Sequence, residues 1–339
     1  MTAAPAAPAD RSAPVSRGHP RTSVRSVVLA LVTAAALFHA AALAPEASHA
    51  RTFFVSPGGS DHRSGLSPVR AWRTVRRVNR AHLRAGDRVL FQAGQTFGGT
   101  LMPPTSGGPG APIVFATYGA GRARLPGGIW FRRRHDLVFD HLAMFGAGLV
   151  GHGQRIALTN SAIAHTRMGV YAAGSDWWLG ANRIEDIGDS GLILVGRRMA
   201  VTGNRIERTG RDGSIPYGKH GIYLKVVDAE VTGNVIRAFA DDGISVRYRN
   251  SHIEGNQIDG GAVGIAWFQY DRDAGTSSWV SNAITSTTSA GIYVSRADRA
   301  GATRESFVIR ANLLHRRAGR YLDLGPTLGH YDVLGNLEG

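Results

Sequence analysis

An asparagine returns through the second half of the chain at intervals that keep falling back to the same length. Asn160, Asn182, Asn204, Asn234, Asn256, Asn282, Asn312 and Asn336 are separated by 22, 22, 30, 22, 26, 30 and 24 residues. One shared minimum with longer variants is the mark of a fixed structural unit that tolerates loop insertions. The full phrase is apolar-x-Gly-Asn-x-Ile, about nine residues, then Gly-Ile-x-Val. Its second half begins at Gly169, Gly191, Gly221, Gly243, Gly264, Gly291 and Gly319. Short strands repeated this closely, with no helical pattern between them, predict an all-β solenoid in which equivalent residues stack coil upon coil. The asparagines are then expected to form a ladder of amides at one bend, because asparagine serves turns by bonding local backbone.

Period two assigns directions within each glycine-led strand. The first and third residues after the glycine are mostly Ile, Leu or Val and are expected to face inward. The second and fourth then face outward. Tyr171, Ile193, Tyr223, Ser245, Ala266, Tyr293 and Tyr321 make one outward row, and Ala173, Val195, Lys225, Arg247, Phe268, Ser295 and Asp323 make the other. Coils stack about 4.8 Å apart, so Lys225 and Arg247 are predicted to be immediate neighbours facing solvent. Lysine is rare here: Lys219 and Lys225 are the only two in the chain, and all other Lys/Arg-type cations are arginine.

The segment that follows residue 50 has its own signature. It runs Phe54-Val55-Ser56-Pro57-Gly58-Gly59-Ser60-Asp61, Gly65-Leu66-Ser67-Pro68, Ala71-Trp72-Arg73-Thr74 and Ala85-Gly86-Asp87-Arg88-Val89-Leu90-Phe91. Trp72, Val75, Val78 and Leu83 are spaced as in a short amphipathic helix between Pro68 and Arg84. Together with the repeat, this pattern resembles the right-handed parallel β-helix proteins of the pectate-lyase-like superfamily. The expected fold is an all-β, right-handed parallel β-helix with a short N-terminal capping helix that plugs the core. The expected divisions are a signal peptide over 1–50, a cap and first coils over 51–135, and β-helix repeats over 136–339.

Two adjacent cations without an anion repel one another, and a neighbouring guanidinium is expected to favour neutral lysine. Neutral lysine is a base, whereas arginine keeps its charge. That division suits β-elimination from a uronic-acid polymer: Lys225 takes the proton beside the carboxylate and Arg247 neutralises the carboxylate. The resemblance reaches these positions, because certain polysaccharide lyases of this fold use Lys and Arg on adjacent coils. Those enzymes often hold calcium on acidic residues near the lysine. Here Gly218, Lys219 and His220 stand in that stretch, so calcium lacks a clear acidic cluster, and no metal ligand or other cofactor is assigned. His220 and Tyr223 join Lys225 and Arg247 as candidate catalytic residues, with a packed or turn-bonding role as the alternative for His220. Tyr217, Tyr248, Phe268, Tyr270 and Asp242 are candidates for substrate binding, the aromatic rings as sugar platforms. Lys219 is expected in a stacked salt bridge with Asp189 and Asp241. Eight extra residues between Asn204 and Gly221, and the run Gln269–Ser277, are expected to wall a groove over this face.

Charge and targeting narrow the partners. With 39 Lys+Arg against 25 Asp+Glu, the formal net charge is +14, which favours a polyanion. Arg17, Arg21 and Arg25 precede an apolar run from Val27 to Leu43, and Ser48-His49-Ala50 has the form of a cleavage site. An exported chain without zinc-finger, P-loop or RNA-binding motifs argues for an acidic polysaccharide over nucleic acid. A secreted monomer without stable membrane association after signal cleavage is expected, with an uncleaved anchor as the alternative. Hydrolysis is the nearest rival chemistry, since Asp189, Asp212, Asp241 and Asp242 lie in the same region. Asp241-Asp242-Gly243 and His220-Gly221 are similar to polygalacturonase motifs, in reversed order. Uronate epimerisation shares the proton-abstraction step, and a glycan-binding solenoid without catalysis is the non-enzymatic reading.

Overall fold

A computed structural model describes residues 50–214, 218–270, 273–295 and 304–339. The proposed signal lies almost wholly outside these residues, and Tyr217 and Asp271 lie outside them too. The described chain winds into stacked coils of parallel strands, assembled into one 16-stranded and one 10-stranded sheet. Five coils cross the larger sheet as single long, bent strands, among them Ile129–Asp140, Leu149–Thr159, Val170–Gly180, Leu192–Thr202 and Ile222–Thr232. In the next coil that strand breaks in two, giving Asp242–Val246 and Ser251–Glu254, and the following coil repeats the break with Val263–Trp267 and Gly275–Val280.

The inward positions are those that period two assigns. Val170 and Ala172, Leu192 and Leu194, Ile222 and Leu224, Ile244 and Val246, and Ile265 and Trp267 are all buried in one continuous core. Arg320 is the exception: it follows Gly319 in the last glycine-led strand and is exposed. The anticipated amphipathic helix is a single turn, Val75–Val78, capped by the Thr74 hydroxyl, which accepts from the Arg77 amide. Its neighbourhood is nevertheless packed, because Trp72, Val75, Val78 and Leu83 all enter the core and Trp72 stacks on Phe53.

The asparagine ladder runs unbroken from Asn182 to Asn336. In each rung the backbone N–H and the side-chain amide of one asparagine donate to Oδ1 of the next, at 2.8–3.0 Å. The amide also donates to a core-strand carbonyl, such as Asn234 Nδ2 to Val201 O. Asn160 is not a rung. Ser161 occupies that place, donating its N–H to Asn182 Oδ1, while Asn160 turns the chain with φ 49° and bonds Asp140. The same left-handed conformation precedes every rung, at Ala181, Gly203, Gly233, Gly255, Ser281, Ala311 and Gly335. Glycine is favoured there because a Cβ makes left-handed backbone costly, which accounts for the recurring Gly-Asn pair.

Asn234→Ala should destabilise the protein by about 1–3 kcal/mol in chemical denaturation, since it strands buried donors on Asn204 and an acceptor on Val201. Asn336→Ala, at the half-exposed end of the ladder, should cost less. Equal effects at the two positions would contradict the ladder as a source of stability.

Candidate functional site

The break in the long strand builds the site. Tyr223 and Lys225 project from Ile222–Thr232, and Tyr223 is in register with Ser245 of the next coil. Arg247 follows the last residue of Asp242–Val246, and its N–H donates to Leu224 O, which puts it beside Lys225 as the spacing predicts. Phe268 and Tyr270 come from the break one coil further on, their N–H groups donating to Val246 O and Arg247 O.

Arg247 departs from expectation in one respect. It lies on the outer face of the sheet but is only 9% exposed, so the two cations do not stand side by side in water. Its guanidinium lies 4.2 Å from the Phe268 ring centroid, 4.9 Å from Tyr223 and 5.9 Å from Tyr270. Aromatic faces attract a cation and remove it from solvent at once. Lys225 Nζ shares two of these rings, at 5.3 Å from Tyr223 and 5.4 Å from Tyr270. No carboxylate of a described residue forms an ion pair with either cation. The result is a positive, ring-walled recess suited to an anionic ligand with an apolar face.

Beneath it runs a buried polar chain. Arg247 Nη1 donates to Ser245 Oγ at 2.8 Å, Ser245 donates to Asp242 Oδ2 at 2.5 Å, and Asp242 Oδ2 lies 3.3 Å from His220 Nδ1. His220 in turn stacks on Tyr223 with centroids 5.1 Å apart. Asp242 and His220, each 3% exposed, therefore lie under the recess and not at its surface, so Asp242 is not positioned to touch a substrate. Their burial follows from the Asp-Gly and His-Gly corners, which turn these side chains beneath the outward rows. Asp241 is half-buried, with Oδ2 3.8 Å from His220 Nδ1.

Burial pushes the Asp242 carboxyl up to about 7, with the Asp241 charge adding to the rise against the Ser245 hydrogen bond and the Arg247 charge. Burial likewise raises Asp241. The His220 imidazole is pushed down to about 3, first by burial and then by Arg247, so it is neutral at physiological pH and not the titrating acid-base group considered for it. His220, Asp241 and Asp242 are the one group of described residues whose ligand atoms converge within 4.8 Å. They do not fit calcium, which takes six to eight oxygen ligands. His220 Nδ1 already accepts the Asp242 N–H, and Asp242 Oδ2 already accepts the Ser245 hydroxyl.

Other candidates fall elsewhere. Tyr248 follows Arg247 and is half-buried, and no ring contact joins it to the recess among the described residues. Lys219 forms no ion pair within 4 Å among the described residues, so the predicted bridges to Asp189 and Asp241 are absent. The Ser190 hydroxyl, one coil back from His220, donates to Gly218 O and accepts from His220 N. Ser245 was legible only as an outward position, yet it joins Arg247 to Asp242. Tyr293, another outward residue, closes the far side by packing on Phe268 at 5.4 Å.

The buried pair makes opposite contributions to stability. Asp242 keeps a proton in the fold that the unfolded chain releases near 3.8, so its contribution is full below about pH 4 and is lost as pH rises through about 7. His220 contributes above about 6.5 and loses that contribution as pH falls toward about 3. Asp242→Asn removes only the first effect. Its Tm relative to wild type should therefore climb between about pH 4 and 8, and a difference independent of pH would contradict the assignment.

A family model described as the right-handed β-helix region matches residues 143–272. No curated protein sequence matches the chain. Among solved structures, the chain is similar to the lacto-N-biosidase of glycoside hydrolase family 136 from Eubacterium ramulus, with 12% identity, TM-score 0.59 and coverage of 85% of this chain and 68% of that one. It is also similar to an alginate lyase from Paenibacillus sp. str. FPU-7, with 14% identity, TM-score 0.51 and coverage of 81% and 99%. A third is pectate lyase Pel9A, with 17% identity, TM-score 0.51 and coverage of 84% and 78%. The parallel coils, the ladder and these likenesses agree on one architecture: the chain folds as a right-handed parallel β-helix.

Proposed function

We propose that this protein is an exported polysaccharide lyase that cleaves a uronate-containing glycan by β-elimination in the recess around Tyr223. The observation that carries this reading is the placement of Lys225 and Arg247 in adjacent register, sharing the Tyr223 and Tyr270 rings, with no described carboxylate paired to either. A uronate supplies the missing anion and a ring face for stacking. Lys225 acts as the base that removes the proton from the carbon bearing the carboxylate. Arg247, held by Ser245, stabilises the charge that spreads onto the carboxylate. The electron pair forms a carbon–carbon double bond, and the glycosidic oxygen leaves and takes a proton from Tyr223 or from water. His220 and Asp242 position the ring and the guanidinium from below. Three structural neighbours are named for glycan-cleaving activities, which supports carbohydrate chemistry without choosing the reaction.

A second reading rests on Asp241 and Asp242. Two nearby carboxyls, one of them protonated near neutral pH, are what glycoside hydrolysis requires. Burial of Asp242 weighs against it, because a general acid must reach the glycosidic oxygen.

Lys225→Ala should lower turnover on the cleaved uronate polymer by about 10²- to 10⁴-fold, and Lys225→Arg should fail to restore it. Arg247→Ala should lose turnover and some stability as well, because its side chain is buried and hydrogen-bonded. The readout is ultraviolet absorbance of the unsaturated product. Wild-type turnover in Lys225→Ala would remove this lysine from the mechanism, and loss of cleavage in Asp241→Asn alone, with saturated products, would favour hydrolysis. Export predicts an amino terminus near Arg51 by mass analysis of secreted protein, whereas a retained 1–50 segment would indicate an anchor.

A further inference from the structure

The outward rows extend well beyond the recess. Register places Trp130, Val150, Tyr171, Ile193 and Tyr223 in one line along the outer face of the larger sheet. The adjacent line carries Arg132, His152, Ala173, Val195 and Lys225, with His152 packed on Tyr171 at 5.6 Å. Neither line holds an acidic residue over this length, and the larger side chains are aromatic or basic.

An open groove of about 990 Å³ lies at the far end of this strip, with Trp130 and Val150 along one side and Arg76 and Arg80 among its lining. Trp130 is 44% exposed, and both arginines are exposed. The wall is held in place: Asn79 Nδ2 donates to Thr100 O at 2.9 Å and Asn79 Oδ1 accepts from Met102 N at 2.8 Å. A flat aromatic surface beside two cations has the same chemistry as the recess, an apolar face for a sugar ring and positive charge for its carboxylate. Four register steps separate Trp130 from Tyr223, or about 19 Å at about 4.8 Å per coil.

We propose that the Trp130 groove is a distal subsite for the same acidic polysaccharide, so that one chain laid along the solenoid axis occupies both the recess and the groove. The inference rests on the functional reading above and adds a substrate property: the protein binds long chains more tightly than short ones.

The test uses polygalacturonate and alginate, each as long chains and as trimers too short to span four coils, with binding measured by calorimetry and cleavage by ultraviolet absorbance. Trp130→Ala and, separately, Arg80→Ala should weaken binding of the long chain by about tenfold, and the preference for long over short substrate in kcat/KM should shrink accordingly. Both residues are exposed, and an unchanged Tm in each variant verifies that the fold is intact. If wild type cleaves a polymer but both variants keep its full chain-length preference, the distal subsite is overturned and the functional reading stands. If wild type neither binds nor cleaves any of these glycans, both are overturned.

Discussion

The parallel stacking of coils through the buried asparagine ladder is the constraint on which the rest depends. A strand in a parallel sheet can slip by one residue only by moving every side chain to the other face. Each ladder asparagine resists that slip, since its Oδ1 takes two donors from the preceding rung and its amide reaches a core carbonyl. Fixing the bend therefore fixes which residues share an outward row. The rows in turn decide what chemistry the surface can hold.

The candidate site arises where that regularity lapses. Up to Ile222–Thr232 the outer face is continuous sheet, and after it the strand opens into short connections. Arg247, Phe268 and Tyr270 occupy these openings, which frees their backbone to bring three side chains over one spot. The buried Ser245, Asp242 and His220 then hold the guanidinium and the Tyr223 ring from within. A proton on Asp242 lets this chain be buried at lower cost, because a neutral carboxyl needs less solvation than an ionised one.

Much of this was legible in the residues, and the failures have physical causes. Burial of Ile, Leu and Val after each glycine followed from period two alone, as did the adjacency of Lys225 and Arg247. Spacing could not separate Asn160 from Ser161, because the two residues on either side of a left-handed corner differ by one position and only the backbone φ tells them apart. Nor could an outward assignment reveal that Arg247 is covered, since its cover comes from Phe268 and Tyr270 in a neighbouring coil's insertion. His220 and Asp242 precede glycines, where strand alternation does not yet hold. The Trp130 line was hidden for a different reason: Gly128-Ile129-Trp130-Phe131 and Gly148-Leu149-Val150-Gly151 keep the glycine-led phrase, but no asparagine corner precedes them at the ladder spacing, so register joined them to Tyr223 only once the strands were paired.

The central claim is that cleavage at this site is an elimination, and water bearing a heavy oxygen isotope tests it most directly. Wild-type protein would be incubated in that water with polygalacturonate or alginate, and the products weighed by mass spectrometry. Elimination predicts fragments with an unsaturated end, each cut adding no oxygen from the solvent. Saturated fragments that carry the heavy oxygen at each newly cut end would contradict the account.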